Sequence, residues 1–118
     1  MEYKRSHRVA DLLQKEIAEL VFRRVKDPRA SNITISGVEV SGDLKHARVF
    51  FCVMGAGTDE DAKSNAASGL EKATGFIRQE LGRRLSLRYI PRLEFVYDTS
   101  FEHGDRIERL LKELQKDE

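Results

Sequence analysis

A chain of 118 residues is one domain's length, enough to bury about two thirds of its unfolded surface around a single core. Its 21 lysines and arginines stand against 20 aspartates and glutamates, a formal net charge of +1, so no global positive field advertises a nucleic-acid partner and any such signal is local. The lone cysteine excludes an internal disulfide; with no apolar signal-peptide core after Met1 and no window of membrane-spanning length, the expectation is a soluble, cytoplasmic, single-domain protein over residues 1–118.

The first predicted element is a helix from about residue 6. Val9, Leu12, Leu13, Ile17, Leu20, Val21 and Val25 recur at steps of three and four, while Asp11, Lys15 and Glu19 mark the opposite side. Ser6 suits the N-cap, and Asp27-Pro28 stops the helix, because proline disfavours helical geometry in the residue before it. The Lys4, Arg5, His7, Arg8 cluster has two readings, a solvated terminus or an arm that contacts phosphate.

Two strands follow. Ile33, Ile35, Val38 and Val40 alternate until Gly37 breaks the phase, which predicts a bulge, and Ser41-Gly42-Asp43 supplies turn chemistry for a hairpin. In the second strand Ala47, Val49, Phe51 and Val53 share one face and His46, Arg48, Phe50 and Cys52 interleave with them. The apolar density from Val49 to Met54 predicts a central strand with both faces at least partly covered, with Cys52 a buried thiol. Gly55-Ala56-Gly57-Thr58 ends this strand and precedes a helix, but it lacks the Gly-Lys-Ser/Thr ending of a phosphate loop, and Asp59, Glu60 and Asp61 would repel a phosphate. Those acids instead suit a helix N-terminus, with Thr58 as its cap.

From Ala62, Ala66 and Leu70 to Phe76, Ile77, Leu81 and Leu85 the helical pattern runs on, interrupted by Gly75. Glycine inside a helix costs about 1 kcal/mol relative to alanine, so either it is a tolerated residue or cap, or it marks a break between two helices. Beyond it Leu93, Phe95 and Tyr97 alternate in a third strand that begins just after Pro91. A strand, two helices and a strand make a crossover, which predicts that strands two and three are parallel. A last helix over about 100–115 is expected, capped by Ser100, with Ile107, Leu110, Leu111 and Leu114 as its stripe.

Catalysis finds little support. His7, His46 and His103 are dispersed, without metal-ligand spacing, and Cys52 has no electropositive helix terminus beside it in sequence. Asp98 and Glu102, one helical turn apart, either bind a cation or charge the start of the last helix. The expectation is no enzyme, no cofactor and no metal.

The element order α-β-β-α-α-β-α, with a small-residue break between the central helices, resembles the type II K-homology (KH) fold, an α+β architecture on a three-stranded mixed sheet. More narrowly, the chain resembles the ribosome-binding factor A family of bacterial small-subunit maturation factors. Arg8-Val9, Val25-Lys26-Asp27-Pro28-Arg29, Ser41-Gly42-Asp43-Leu44 with Ala47, Lys72-Ala73-Thr74-Gly75-Phe76-Ile77-Arg78, and Pro91-Arg92-Leu93-Glu94-Phe95 with Tyr97-Asp98 carry the likeness, in order, from residue 8 to about 98. An ordinary KH domain clamps single-stranded RNA with a Gly-X-X-Gly loop. The resemblance implies an Ala-X-Gly kink in its place, at Ala73, Thr74 and Gly75.

It further implies a monomeric, non-catalytic factor that binds immature 30S subunits and 16S rRNA and assists late rRNA maturation and processing; dependence on it for growth in the cold is a family expectation. The residues agree with a local basic face. Lys72, Arg78, Arg83, Arg84, Arg88 and Arg92 stand against one acid, Glu80, between residues 72 and 92, and phosphates reward such clustering by counterion release. Candidate RNA contacts are therefore Arg8, Lys45, Arg48, Lys72, Arg78, Arg83, Arg84 and Arg88, against the alternative of a solvated helix flank laced with ion pairs. Two other functions stay open: a KH module that binds single-stranded RNA by sequence, and a protein-interaction domain without an RNA role.

Overall fold

The computed structural model describes residues 4–25, 28, 32–56 and 59–100. The first helix, α1, spans Arg5–Arg23, with Lys4 as its N-cap and no side-chain cap bond. Ser6 therefore lies inside the first turn instead of capping it. Val9, Leu13, Ile17, Leu20 and Val21 are buried along one stripe, whereas Leu12 falls off that stripe and is 46% exposed. Val25 lies beyond the helix, its N–H bonded back to the Leu20 carbonyl.

Strands β1 (Ile33–Val40), β2 (His46–Val53) and β3 (Arg92–Tyr97) form one sheet in the order β1-β2-β3. β1 and β2 pair antiparallel; β2 and β3 pair parallel. The bulge falls where the phase breaks: Ile35 faces Phe51 and Gly37 faces Phe50, which leaves Ser36 as the extra residue. In the hairpin the left-handed residue is Leu44, at φ 63°, not Gly42. Ser41 holds that turn, donating its hydroxyl to Asp43 Oδ1 at 2.6 Å and accepting from His46 N–H at 3.1 Å.

The second helix, α2, spans Glu60–Arg84. Asp59, not Thr58, is the residue at its cap: one carboxylate oxygen accepts the N–H groups of Asp61 and Ala62 at 3.0 and 3.2 Å. The expected pair of helices around Gly75 is a single hydrogen-bonded helix of 25 residues. Burial of Ala66 and Leu70 on one side of Gly75, and of Ile77 and Leu81 on the other, holds both halves to the sheet. That packing outweighs a glycine penalty of about 1 kcal/mol. Thr74 keeps a local mark of the small-residue stretch, its hydroxyl donating to the Leu70 carbonyl at 3.0 Å, a back-bond that tends to bend helices.

Both helices cover one face of the sheet. Their stripes meet Ile35, Ala47, Val49, Phe51 and Leu93 in one core, and Phe51 meets Tyr97 edge-on at 5.4 Å between ring centroids. The α+β order with a helical crossover between parallel β2 and β3 is the expected one. The predicted last helix, with its stripe from Ile107 to Leu114, lies outside the described residues, as do Gly57 and Thr58.

Candidate nucleic-acid interface

The basic residues singled out by sequence do not share one surface. Arg84 is turned inward, onto α1: its guanidinium donates to Glu16 at 3.1 Å and pairs with Glu19 at 3.4 Å. Those carboxylates push its pKa still higher, the Glu16 hydrogen bond first. The charge of Arg84 is thus committed to joining the two helices. Arg83 leaves its own side chain largely in solvent and pairs at 3.4 Å with Glu80, the buried acid of α2. Arg48 is central in a cross-strand row, opposite Glu39 on β1 and Glu94 on β3, and pairs with Glu94 at 3.8 Å. Two carboxylates beside one guanidinium leave that row net negative.

The remaining cations divide by helix geometry. Steps of four and seven residues put Lys72, Phe76 and Arg83 in one exposed row of α2. Arg78 lies on the opposite flank and reaches across to donate to the Ile90 carbonyl at 3.0 Å. Arg8 is exposed on the first turns of α1. Lys45 ends the hairpin turn, where its carbonyl accepts the Arg92 N–H at 2.8 Å. Parallel pairing of β2 with β3 thereby sets Lys45 beside Arg92, a member of the basic stretch left out of the candidate contacts, and beside the segment carrying Arg88. Tyr89 was missed as well; it is 66% exposed, with the Arg88 guanidinium 5.5 Å from its ring centroid. The sequence signal for it was an aromatic inside the most basic stretch.

A groove of about 830 Å³ runs between α2 and β3, lined by Ala67, Glu71 and Thr74 on the helix and Leu93, Glu94 and Phe95 on the strand. Glu39, Arg48, His46 and Arg92 extend its wall. Three carboxylates face two guanidiniums here, so this groove is no cradle for a run of phosphates. Ala73, Thr74 and Gly75 stand in mid-helix, and no exposed Gly-X-X-Gly loop interrupts the backbone of α2.

Elsewhere the polar chemistry is structural. Cys52 is buried, and burial followed by the nearby Asp98 charge pushes its thiol pKa up, which keeps it protonated and a poor nucleophile. Asp98 accepts from the Ser36 hydroxyl at 2.6 Å and from both the hydroxyl and the N–H of Ser100; Ser100 here donates to Asp98. Glu102 lies outside the described residues. Among the described residues, no three His, Cys, Asp or Glu side chains group as metal ligands, and no helix is long and apolar enough to cross a membrane.

Residues 5–111 match the family described as Ribosome-binding factor A. A Syntrophobacter fumaroxidans protein named Ribosome-binding factor A is 62% identical over 118 residues, with 100% of both chains covered; one from Syntrophus aciditrophicus is 49% identical over 99% of this chain and 93% of its own. The fold is similar to the crystal structure of ribosome-binding factor A from Thermus thermophilus, with a TM-score of 0.67 at 26% identity over 78% of this chain and 93% of that one. It is similar also to a Thermus thermophilus ribosome binding factor A homology model fitted into the cryo-EM map of a 30S–RbfA complex, with a TM-score of 0.62 at 27% identity, covering 76% and 91%. With α+β order, KH-like topology and a match over most of its length, the chain belongs to the ribosome-binding factor A family.

Proposed function

We propose that this protein binds the immature 30S subunit, holds one conformation of its 16S rRNA during late maturation and processing, and departs without catalysing a reaction. Family membership over residues 5–111 carries the reading, and the neighbour fitted into a 30S complex supports the choice of partner. The exposed Lys72, Arg83 and Arg88 supply cations for phosphate; the acids of the α2–β3 groove weigh against sequence readout of a single strand there. A non-catalytic binder shifts an RNA equilibrium only through its difference in affinity for two conformations. Preference for precursor over mature particles is therefore the functional quantity.

The test is co-sedimentation with precursor-containing and mature 30S particles across a salt series, beside a Lys72→Glu, Arg88→Glu variant. Neither side chain holds one described element to another, so the variant should fold. The unsubstituted protein should bind precursor particles more tightly, with affinity that falls as salt rises; the variant should bind far more weakly with a shallower salt slope, reduced by about one for each phosphate no longer neutralised. No binding to either particle at low salt would sink the assignment. Salt-insensitive binding that ignores the charge reversals would instead favour a protein-interaction domain.

A further inference from the structure

The α2–β3 connection, residues 85–91, is built as a fixed platform with one aromatic ring turned outward. Leu85, Leu87 and Ile90 pack against the core and Pro91 is fully buried. The Ile90 carbonyl is held by Arg78 at 3.0 Å, and the next strand is tied to the hairpin by the Arg92 N–H to Lys45 carbonyl bond at 2.8 Å. Between these inward anchors Tyr89 is 66% exposed. A ring this exposed forgoes most of the stabilisation that burying it would give.

Its surroundings are cationic. Arg88 stacks by Tyr89 at 5.5 Å, which occupies one side of the ring; the Arg78 guanidinium reaches the Ile90 carbonyl, and a backbone bond sets the main chains of Lys45 and Arg92 side by side at the end of the same connection. Asp43, the acid of the adjacent turn, is already engaged by the Ser41 hydroxyl and the Lys45 N–H. Glu94, two residues along the strand, pairs with Arg48 at 3.8 Å in the row that Glu39 leaves net negative. An aromatic face among cations that track a phosphate backbone is the chemistry by which proteins hold an unstacked nucleotide.

We infer that this connection is a nucleotide seat: Tyr89 stacks an unpaired base of the bound RNA, while Lys45, Arg88 and Arg92 contact the phosphates on either side of it. Arg78 positions the platform through Ile90. The seat borders the α2–β3 groove at Arg92, which extends the groove wall, and requires no Gly-X-X-Gly loop. It deepens the proposed function and rests on it, since the base is one of the 30S rRNA.

The experiment measures binding of the full chain and of Tyr89→Ala, Tyr89→Phe and Arg92→Gln to precursor-containing 30S particles over a salt series, with thermal melts to confirm folding. Stacking predicts about a tenfold loss for Tyr89→Ala with the salt slope unchanged, and affinity near the original for Tyr89→Phe, which keeps the ring. Arg92→Gln should weaken binding and lower the salt slope by about one. If the unsubstituted chain binds and Tyr89→Ala binds equally well, the seat is wrong and the function stands. If Tyr89→Phe is as weak as Tyr89→Ala, a hydroxyl contact replaces the stack and the inference is overturned. Failure of the unsubstituted chain to bind at all removes the proposed function, and the seat with it.

Discussion

Asp98 shows how one carboxylate can join distant parts of the chain. It follows β3, accepts the hydroxyl of Ser36 in the β1 bulge, and takes two further bonds from Ser100. The Ser100 and then the Ser36 hydroxyls stabilise its charged form more than burial opposes it, so its pKa lies below the ordinary 3.8. A depressed carboxylate pKa contributes stability that is fully present above the unfolded value and is lost as pH falls through the lower folded value. The stability gap between the original chain and Asp98→Asn, measured by denaturant unfolding from pH 7 down to about pH 2, should therefore be widest at neutral pH and close below about pH 4; a constant gap would refute the assignment. Ser36→Ala should cost about 1 kcal/mol at neutral pH. The partnership was not legible in sequence, because Ser36 and Asp98 are separated by 62 positions and only the bulge turns the serine toward the carboxylate. Arg84 teaches the same lesson: its local setting is basic, but the acids that claim it lie on α1, 68 positions away for Glu16.

At the scale of elements, periodicity was the reliable signal and punctuation the weaker one. The stripes of α1 and α2, the alternation in β1, β2 and β3, the bulge by Gly37 and the strand start after Pro91 were all legible, because each reflects which face meets the core. Caps were not: Ser6 and Thr58 have suitable hydroxyls, yet α1 starts one residue earlier and Asp59 takes the α2 cap with a carboxylate. Gly75 likewise looks like a break in sequence, but tertiary burial on both sides carries the helix through it. A Cβ added at Gly75 would meet nothing within 4 Å. Gly75→Ala should consequently stabilise the protein by about 1 kcal/mol and raise its melting temperature by about 3–6 °C, read by calorimetry. A lower melting temperature would show that the position needs glycine's backbone freedom. Binding to 30S particles by the same variant should persist, since the helix is already continuous there.

For the whole molecule, a net charge of +1 conceals a division of charge that only the fold reveals. The run from Lys72 to Arg92 looked like one basic face because sequence distance stood in for spatial distance; α2 sends Lys72 and Arg83 to one flank, Arg78 to the other and Arg84 to α1. Parallel pairing then sets Lys45, at the end of the hairpin turn, beside Arg92 of that run, a convergence with no short-range signature. The groove between these regions is lined by Glu39, Glu71 and Glu94, and carboxylates near a phosphate path would oppose the binding that the cations favour. If RNA engages the cationic connection and the exposed row of α2, neutralising an acid of the groove should matter little. Glu71→Gln should leave affinity for precursor-containing 30S particles within about twofold and its salt slope unchanged, and should give no appreciable affinity for short single-stranded oligonucleotides, because removing one negative charge builds no nucleotide clamp. A large gain in either affinity would relocate the RNA path to the groove and favour a KH module that reads single strands.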